Sequence, residues 1–491
     1  MHFRSIFNVL ASISILLGLT MLFAASWSYL YSEPDLKGIL LSSAITIFIN
    51  LSLWFFTKGK ITLSIKDGFA IVTLVWISTA VFSTLPFILT GAIPNITDAF
   101  FESASGVTTT GASILGNSET MPHLTNGIES LSKGILFWRS FIQWVGGMGI
   151  IVFSIAILPL LGVGGVQLFR AEVPGPVPDK IKPRVQETAK TLWALYIALT
   201  MTQVVFLYFG GMNFFDSLCH SFTTIAIGGF STKNASIAHF NSAYIDYVII
   251  IFMFIAGVNF TLHWKAIIFQ KPLVYFRDGE FKFYAFLIAL TTCIIILNLS
   301  LINGELTHNI FRKSLFQVMS ILTTTGFTTS DYTSWGSFSQ MLILLLMFVG
   351  GSAGSTAGGM KIARIMVVAK YSLSEIKHLL HPRAVIPVKI GQQSINEEVI
   401  RSTLGFVLFY VMVFVFVSII LAALGLDLES SFGATAASLG NVGPAHGSVG
   451  PASNYAQIPD LAKWLLAFCM FLGRLEIFTV MVFLSTLFNR R

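Results

Sequence analysis

The chain has 491 residues, of which 54% are hydrophobic and only 11% are charged, and its net charge is +7. A soluble protein cannot bury so much apolar surface, so the composition excludes that class and indicates a polytopic membrane protein. The basic residues lie in short loops between apolar segments, which argues against nucleic-acid binding. Cys219, Cys293 and Cys469 are far apart in apolar segments, so we expect neither a disulfide framework nor a metal cluster.

Apolar segments of two lengths recur along the chain. The longer ones can span a bilayer and lie near residues 6–29, 38–57, 68–91, 136–160, 191–210, 243–264, 281–302, 340–370, 400–424 and 461–488. Four shorter ones, near 97–108, 214–226, 312–324 and 428–438, suit re-entrant half-membrane helices better than spans. The first stretch is longer than a signal-peptide core and lacks a small-residue cleavage site, so we expect a retained span.

The order of these segments predicts an internal repeat. Residues 1–60 form a two-span preface, and a unit of span, half-helix, glycine hinge and span then recurs over 61–184, 185–272, 273–394 and 395–491. Each unit has two full spans and so restores the orientation of the chain, which requires parallel repeats. The predicted fold is all-α, with four pseudo-repeats of span, re-entrant pore helix and span around a central pore, preceded by two N-terminal spans.

The distribution of basic residues predicts the orientation. They gather within 58–66, 170–190, 265–282, 370–389 and 490–491, which fall on one side of the predicted spans. The positive-inside rule makes that side cytoplasmic, and both termini with it. The four hinges then face outward.

Each hinge places a glycine at the end of a half-helix. The hinges read Thr108-Thr109-Thr110-Gly111, Ile225-Ala226-Ile227-Gly228, Thr323-Thr324-Thr325-Gly326 and Ala437-Ser438-Leu439-Gly440. Glycine permits positive φ, so successive carbonyls can point toward one axis and replace the water shell of a cation. Ile225, Ile227 and Leu439 offer no side-chain oxygen, so coordination must come mainly from the backbone. The alternative, that the hinges merely interrupt helices, does not explain why they recur with the same neighbours.

The third repeat contains a glycine-rich break within its second span. The break reads Gly350-Gly351-Ser352-Ala353-Gly354-Ser355-Thr356-Ala357-Gly358-Gly359. In a helix each glycine is less stable than alanine by about 1 kcal/mol, so a helical conformation of this segment is unfavourable. We expect a flexible loop below the hinges that obstructs a pore and moves aside. A close-packed patch of small residues and an anion-binding nest are the alternatives.

Several charged residues lie within the predicted spans. Arg474 lies thirteen residues into the last span, where a charge is costly and usually faces a cavity or a partner. We expect it to face the pore below the hinges, as an electrostatic barrier or as a partner of the loop. The alternative is a structural ion pair, with Glu476 nearby in sequence but on another helix face. Arg139 lies near the outer end of its span, where packing or snorkelling explains its position as well as a functional role does. Further polar residues within spans are Gln143, Asn259 and His263.

Acidic residues lie near the starts of three half-helices. They are Asp98 and Glu102, Asp216, and Asp427 and Glu429. On the outer face they would raise the local cation concentration, although helix capping also explains them. The third half-helix carries Arg312 and Lys313 instead, so an acidic ring would be incomplete. No catalytic constellation, metal spacing or nucleotide-binding motif occurs in the sequence, so we predict that the chain is not an enzyme and binds no cofactor itself.

Together these features resemble the Trk/Ktr/HKT superfamily of potassium transporters, and within it the bacterial TrkH/TrkG type of membrane subunit. The most specific matches are 139–149 (RSFIQWVGGMG), 170–176 (RAEVPGP), 256–260 (AGVNF), 350–359 with Lys361, and 439–444 (LGNVGP). The segment 381–388 (HPRAVIPV) also resembles a loop of the family. The resemblance covers essentially the whole chain. The two-span preface favours the Trk branch over the shorter Ktr branch.

The resemblance implies a potassium-selective filter formed by the four hinges. The implied potassium-contacting positions are Thr109, Thr110, Ala226, Ile227, Thr324, Thr325, Ser438 and Leu439. The neighbouring positions Thr108, Gly111, Ile225, Gly228, Thr323, Gly326, Gly440 and Asn441 complete the implied filter. The resemblance also implies that 350–359 is an intramembrane gating loop, with Lys361 and Arg474 as its partners.

The resemblance further implies a homodimer with a separate pore in each subunit, surrounded by lipid in the bacterial inner membrane. It implies a cytoplasmic nucleotide-binding regulatory subunit of the TrkA type, so NAD or ATP would bind that partner. We therefore expect potassium uptake, with potassium as the substrate.

Three rival functions are less compatible with the sequence. A sodium- or proton-coupled potassium symporter needs a coupling carboxylate, for which Glu476 is the nearest candidate. A membrane enzyme acting on lipid-linked substrates needs a convergent acid, base or metal set within the spans. A structural scaffold leaves the outward hinges and the mid-span charge unexplained.

Overall fold

α-Helices provide almost all of the regular structure, as they must where a backbone inside a bilayer satisfies its own hydrogen bonds. This computed structural model describes residues 2–59, 63–116, 127–149, 185–268, 270, 273–305, 307–384, 386–390 and 393–488. Some predictions lie outside these residues. They are the loop 170–176, position 385 of the segment 381–388, the later part of the span 136–160, and the basic residues Lys60, Arg170, Lys180, Lys182, Arg184, Lys271, Arg490 and Arg491.

Two helices, Phe3–Leu30 and Leu36–Thr57, form the predicted preface. The short turn between them makes them antiparallel. Ser43 Oγ donates a hydrogen bond to the Gly18 carbonyl at 2.7 Å, and a Cβ added to Gly18 would lie 2.7 Å from the Ile47 side chain. Small residues therefore allow a close approach of the two helices, as is common in membranes.

Each repeat consists of an outer helix, a pore helix and an inner helix. The outer helices are Ile65–Ser83 (continued by Leu85–Leu89), Val185–Phe209, Gly279–Asn303 and Glu397–Ala423. The pore helices are Ile96–Val107, Phe214–Ile225, His308–Leu322 and Leu428–Leu439. The inner helices begin with Lys133–Gly147, Ala243–Ala256, Ser337–Met347 and Asp460–Arg474. The predicted all-α fold with four pseudo-repeats is confirmed.

The pore helices are too short to cross a membrane. They contain 12, 12, 15 and 12 residues. At about 1.5 Å per residue they reach about 18–23 Å, against about 30 Å of bilayer hydrocarbon. The predicted half-helices therefore exist, and the third begins four residues earlier than predicted, after its cap Thr307.

The inner helices all stop after 11 to 15 residues. The second and fourth resume after sharp bends of 94° and 106°, as Phe260–Ile268 and Ile477–Phe488. The third resumes as Ile362–Leu380. The sequence predicted a break only in the third, whereas the structure also breaks the predicted spans 243–264 and 461–488. By length and composition, six described helices can cross a membrane, or eight if each bent pair is one span.

Short elements fill the connections. Single 3₁₀ turns, Gly127–Ser130, Ser236–Phe240, Tyr332–Ser334 and Gly447–Val449, lie between hinge and inner helix. Val274–Arg277 precedes the third outer helix. The strands Lys389–Ile390 and Gln393–Ser394 pair antiparallel before the fourth outer helix.

Burial separates the lipid-facing helices from the core. Only 28% of the most apolar window of Glu397–Ala423 is buried, and Leu408, Phe416 and Ile419 are exposed on it. The pore helices instead bury their C-terminal turns completely, including Thr108 and Thr323. The four helix ends therefore lie at the centre of the molecule.

Candidate functional site

The same backbone turn ends all four pore helices. In each turn a helix-capping residue is followed by a left-handed residue, a third residue and a left-handed glycine. The four turns are Thr108-Thr109-Thr110-Gly111, Ala226-Ile227-Gly228-Gly229, Thr323-Thr324-Thr325-Gly326 and Gly440-Asn441-Val442-Gly443. The left-handed second residues have φ of 55°, 55°, 64° and 54°, and the glycines have φ of 81°, 76°, 82° and 97°.

Identical hydrogen bonds close these turns. The N–H of the third residue donates to the carbonyl five residues earlier, at 2.9, 2.8, 2.8 and 2.8 Å in repeats one to four. The N–H of the second residue donates to the carbonyl three residues earlier. This is a Schellman arrangement, which usually carries glycine at the left-handed position. Thr109, Ile227 and Thr324 are β-branched there, which is a strained conformation.

The structure corrects the hinge register that the sequence predicted in two repeats. In repeat two the glycine equivalent to Gly111 is Gly229 and not Gly228. In repeat four it is Gly443 and not Gly440, which is the helix cap. The second and third positions are therefore Ile227 with Gly228, and Asn441 with Val442, in place of the predicted pairs Ala226–Ile227 and Ser438–Leu439. Ser438 and Leu439 still belong to the pore helix, because the turn starts only after them.

The four turns form a closed ring. A Cβ added to each glycine would collide with the carbonyl oxygen of the third residue in the next repeat. These distances are 2.2 Å from Gly111 to Gly228, 1.9 Å from Gly229 to Thr325, 2.1 Å from Gly326 to Val442 and 2.6 Å from Gly443 to Thr110. Contacts that run from repeat one to four and back to one require the segments to surround a single axis.

Side-chain oxygens in the ring are largely occupied. Thr108 Oγ1 and Thr110 Oγ1 are hydrogen-bonded at 2.8 Å, and Thr323 Oγ1 and Thr325 Oγ1 at the same distance. Asn441 Nδ2 donates to Thr110 Oγ1 at 2.9 Å and so links repeat four to repeat one. The backbone carbonyls are the oxygens that all four turns have in common.

The glycine-rich segment 350–359 packs directly against these turns. The Gly358 N–H donates to Thr324 Oγ1 at 2.8 Å, and Thr356 Oγ1 donates to the Ile225 carbonyl at 3.0 Å. Ala357 packs on the side chain of Ile227. A Cβ added to Gly358 would lie 2.5 Å from the Gly440 carbonyl. The loop therefore touches the ends of the second, third and fourth pore helices.

The same loop fills the break in the second inner helix. Ser352 donates its N–H to the Gly257 carbonyl at 2.9 Å, and Phe260 donates its N–H to the Gly354 carbonyl at 3.1 Å. Asn259, one of the polar residues predicted within spans, lies against Gly354, where an added Cβ would meet it at 2.9 Å. The two irregular segments thus satisfy each other's backbone groups, as membrane depth requires.

Arg474 contacts the loop, as expected of a loop partner. Its guanidinium donates to the Thr356 carbonyl at 2.8 Å and to the carbonyls of Gly146 and Gly147 at 2.6 and 3.0 Å. It thereby connects the loop to the end of the first inner helix. The predicted alternative of an ion pair involves a different arginine, because Glu476 pairs with Arg364 at 2.6 Å.

Two further residues hold the ends of the loop. The buried Lys361 has a left-handed backbone (φ 72°), and its Nζ donates to the Ala357 carbonyl. Glu280 Oε1, at the start of the third outer helix, accepts the N–H groups of Ala353 at 2.7 Å and Ala363 at 3.2 Å. Sequence reasoning missed Glu280, because nothing in its local sequence connects it to a loop more than seventy residues away.

Most of the acidic residues near the pore helices have protein partners. Asp98 pairs with Lys463 at 2.5 Å, Asp216 with Lys233 at 3.5 Å, and Glu102 with Arg139 at 2.7 Å. Asp427 caps its helix by accepting the Ser430 N–H at 3.2 Å. The hydrogen bond from Ser430 lowers the pKa of Asp427. These contacts match helix capping and ion pairing more closely than a free acidic ring.

Other predicted polar residues are also buried and bonded. Gln143 donates to the Gly228 carbonyl at 2.7 Å, and His263 hydrogen-bonds to Tyr275 and to the Ile255 carbonyl. Arg139 is 1% exposed, which rules out snorkelling. Beyond the fourth turn, burial lowers the pKa of His446 to about 4, so this imidazole is neutral at pH 7. The three cysteines are free, and the described residues contain no cluster that could hold a metal ion.

The family model of TrkH, described as a cation transport protein, matches residues 36–490. The chain belongs to the TrkH family. The Trk system potassium uptake protein TrkH of Vibrio parahaemolyticus is 42% identical over the whole of both chains, and that of Escherichia coli strain K12 is 41% identical over the whole of both. TrkG of Escherichia coli strain K12 is 36% identical over 100% of this chain and 99% of its own.

A solved structure has the same fold. The crystal structure of the potassium transporter TrkH from Vibrio parahaemolyticus matches with a TM-score of 0.88 at 39% identity, over 100% of both chains. The resemblance stated from the sequence is therefore confirmed. Because the relatives are uptake proteins, they also support the prediction that the chain is a multi-pass membrane transporter and not an enzyme.

The corrected register predicts which glycine of repeat two is indispensable. We expect Gly229→Ala to lower rubidium uptake into proteoliposomes by about tenfold or more, because its left-handed φ costs a side chain about 1–2 kcal/mol and its Cβ would strike the Thr325 carbonyl. Gly228→Ala should be milder, because Gly228 has no left-handed φ and the nearest atoms to its added Cβ belong to the Gln143 side chain and not to a backbone carbonyl.

Gly211 provides the matched control for this comparison. It has φ 97° and open space around it, so Gly211→Ala introduces left-handed strain without a carbonyl collision. It should leave uptake close to wild type. A Gly228 variant as defective as the Gly229 variant would support the register predicted from sequence instead.

Proposed function

We propose that this chain takes up potassium across a bacterial inner membrane through a selectivity filter formed by the four turns. The observation that carries the proposal is the closed ring in which each turn glycine lies against a carbonyl of the next repeat. A ring of backbone carbonyls can replace the hydration shell of a potassium ion. The potassium uptake of its TrkH relatives supports the same substrate.

The proposed potassium-contacting oxygens are the backbone carbonyls of the second and third turn residues. These are Thr109, Thr110, Ile227, Gly228, Thr324, Thr325, Asn441 and Val442. Left-handed residues alternating with right-handed or extended ones turn successive carbonyls to the same side of a strand. Mutual hydrogen bonds already engage the threonine hydroxyls of repeats one and three, which supports coordination by the backbone.

Disturbing the ring should weaken the preference for potassium over sodium. In proteoliposomes, potassium but not sodium should block rubidium uptake by the wild type. In Gly326→Ser sodium should also compete, because the added Cβ would lie 2.1 Å from the Val442 carbonyl and force the strands apart. Gly304→Ser is the control, since Gly304 has a similar φ of 76° but no atom within 4 Å of an added Cβ.

Each outcome of this experiment bears on a different part of the proposal. Equal competition by sodium and potassium in the wild type would contradict a potassium filter. Absence of uptake by the folded wild-type chain alone, with recovery when a TrkA-type subunit and NAD or ATP are added, would identify that subunit as obligatory. Absence of uptake under both conditions would reject the proposed function.

We further propose that the segment 350–359 is a gate beneath the filter. Its contacts with Thr324, Ile225 and Gly440 at the C-terminal ends of three pore helices support this proposal. Arg474 and Glu280 hold it there through hydrogen bonds to loop backbone atoms. Opening requires these bonds to break, so they stabilise the closed arrangement.

Removing either contact should raise basal flux. We expect Arg474→Met and Glu280→Gln each to accelerate rubidium uptake in the absence of a regulatory partner, because each weakens a bond to the loop. Arg401→Met is the control, since Arg401 pairs with Glu397 on the exposed surface of the fourth outer helix. Flux that is unchanged in both folded variants would favour a purely structural role for these residues.

Coupled symport is the less favoured alternative. The carboxylates nearest the pathway already have protein partners: Glu102 binds Arg139, Glu476 binds Arg364, and Glu280 binds two backbone N–H groups. A coupling site would have to break one of these contacts in every cycle. Uptake driven by the potassium gradient alone would support uncoupled transport.

We also propose that the protein is a homodimer with a separate pore in each subunit and that both of its termini are cytoplasmic. A TrkA-type regulatory subunit binds its cytoplasmic face. Apolar residues follow one face of the helix Ile362–Leu380, where Leu373, Ile376 and Leu380 are 59%, 57% and 71% exposed. An exposed apolar stripe at this spacing is typical of a helix that packs against a partner.

The stripe predicts how dimerisation can be disrupted. Wild type in detergent should have about twice the chain mass of 53.8 kDa in multi-angle light scattering, while Leu373→Gln with Ile376→Gln should shift toward the monomer. Leu301→Gln, at a still more exposed site on the third outer helix, should not cause this shift. A dimeric double variant would place the contact elsewhere.

A further inference from the structure

Behind the filter lies an ion pair that is buried from solvent on both sides. Arg139 of the first inner helix is 1% exposed and Glu102 of the first pore helix is 0% exposed, with 2.7 Å between Arg139 Nη2 and Glu102 Oε1. The carboxylate also accepts the Ser113 hydroxyl and the Ile114 N–H, each at 3.0 Å. Glu102 therefore anchors the strand that leaves the first turn.

The arginine reaches across to the second repeat. Its Nη1 donates to the Ser231 carbonyl at 3.1 Å, and its guanidinium lies 4.2 Å from the ring centre of Phe230. One helical turn later, Gln143 accepts the Phe230 N–H at 3.1 Å and donates to the Gly228 carbonyl at 2.7 Å. The first inner helix thus holds the second filter strand at three places along its backbone.

The other repeats fill the same position differently. In the corrected register the residue eight positions before the third turn residue is Glu102, His220, Gln317 or Ala434. His220 hydrogen-bonds to Ser231 Oγ at 2.9 Å, and Gln317 donates to the Ser330 carbonyl at 3.0 Å. A carboxylate occupies this position only in repeat one.

The third and fourth strands are held by neutral groups. The Tyr455 hydroxyl donates to the Gly443 carbonyl and the Tyr332 hydroxyl to the Ala445 carbonyl, each at 2.8 Å. Ser320 Oγ donates to the Phe327 carbonyl at 2.7 Å. The ring is therefore pseudo-symmetric in its backbone, while the side chains that support its strands differ in charge between its two halves.

A buried ion pair is costly to assemble, and apolar residues of similar size often stabilise a fold equally well. Stability alone therefore does not explain why Arg139 and Glu102 occur here. Arg139 bonds to the strand of repeat one through Ser113 and to that of repeat two through Ser231, at 3.2 and 3.1 Å. These bonds fix the distance between two neighbouring walls of the ring, and cavity size is one of the properties to which discrimination between potassium and sodium is attributed.

We propose that Arg139, held by Glu102, is a positioning residue for potassium selectivity that sets the spacing between the first and second filter strands. This inference rests on the filter proposed above and deepens it. Arg139 is not an ion ligand in this arrangement. It acts through the backbone of Ser231 and through the hydroxyl of Ser113.

The test replaces both charges together, so that no unpaired buried charge remains. Glu102→Gln with Arg139→Met should give folded full-length protein that still takes up rubidium in proteoliposomes. Its ratio of sodium to potassium inhibition constants should fall by about tenfold, which corresponds to about 1.4 kcal/mol of discrimination. Arg139→Lys should give an intermediate ratio, because an ammonium group cannot reproduce the fork that bonds Glu102, Ser113 and Ser231 together.

Asp98 and Lys463 provide the matched control. They form another partly buried pair between a pore helix and an inner helix, at 2.5 Å, without bonding to a filter strand. Asp98→Asn with Lys463→Met should keep the wild-type ratio. If the Glu102/Arg139 double variant does not fold, Gln143→Met tests the same strand without altering charge, and it should also lower the ratio.

A wild-type ratio in the folded Glu102/Arg139 variant, or in Gln143→Met where that variant does not fold, would overturn the inference. If Gly326→Ser loses discrimination while these variants keep it, the filter stands and only the positioning role fails. If the wild type itself does not discriminate potassium from sodium, the proposed function fails and this inference fails with it.

Discussion

The structure depends on a contact between backbones: each turn glycine lies so close to a carbonyl of the next repeat that a side chain cannot fit between them. This contact ties four separate segments, about a hundred residues apart, into one ring. The pore helices must be short, because they have to deliver their C-terminal turns to the centre of the molecule. The inner helices lie against these ends, and an added Cβ on Gly146 or Gly473 would touch the carbonyl of Val107 or Leu439 at 2.0 or 2.1 Å. Close packing at the centre therefore limits residue size well beyond the ring itself.

Sequence reasoning recovered the half-helices and the repeat, because apolar length and glycine punctuation are local signals. It did not recover the register of the second and fourth turns. Ile227 occupies a left-handed conformation that a β-branched residue rarely adopts, so the adjacent Gly228 was taken for the strained position. In repeat four, Asn441 takes the left-handed position, and Gly440 merely caps the helix. Tertiary contacts between repeats enforce these conformations, and no single repeat shows them in its own sequence.

The same limit explains the charged residues. Arg139 lies near a predicted membrane surface, so its sequence position fits snorkelling, yet the structure buries it against three partners from two repeats. Glu280 lies in the first turn of an ordinary apolar helix and still binds Ala353 of the glycine-rich loop and Ala363 of the helix that follows the loop. Arg474 was recognisable because its depth within a span is visible in the sequence alone. The sequence reveals that a charged side chain is important when its depth within a span makes its burial costly. The groups that the charge contacts become known only from the assembled fold.

Basic side chains bind the backbone of the glycine-rich loop beneath the ring. Arg474 and Lys361 bind the carbonyls of Thr356 and Ala357, which are adjacent in the loop. In the pathway proposed above, carbonyl oxygens at this place are suitable ligands for a cation, but here they accept hydrogen bonds from the protein's own basic side chains. Glu476 is bound to Arg364, and Glu280 is bound to backbone N–H groups. In the gate proposed above, the loop is a steric obstacle to a cation and Arg474 adds a positive potential. Moving the loop would change both together, because Arg474 is bonded to the loop backbone.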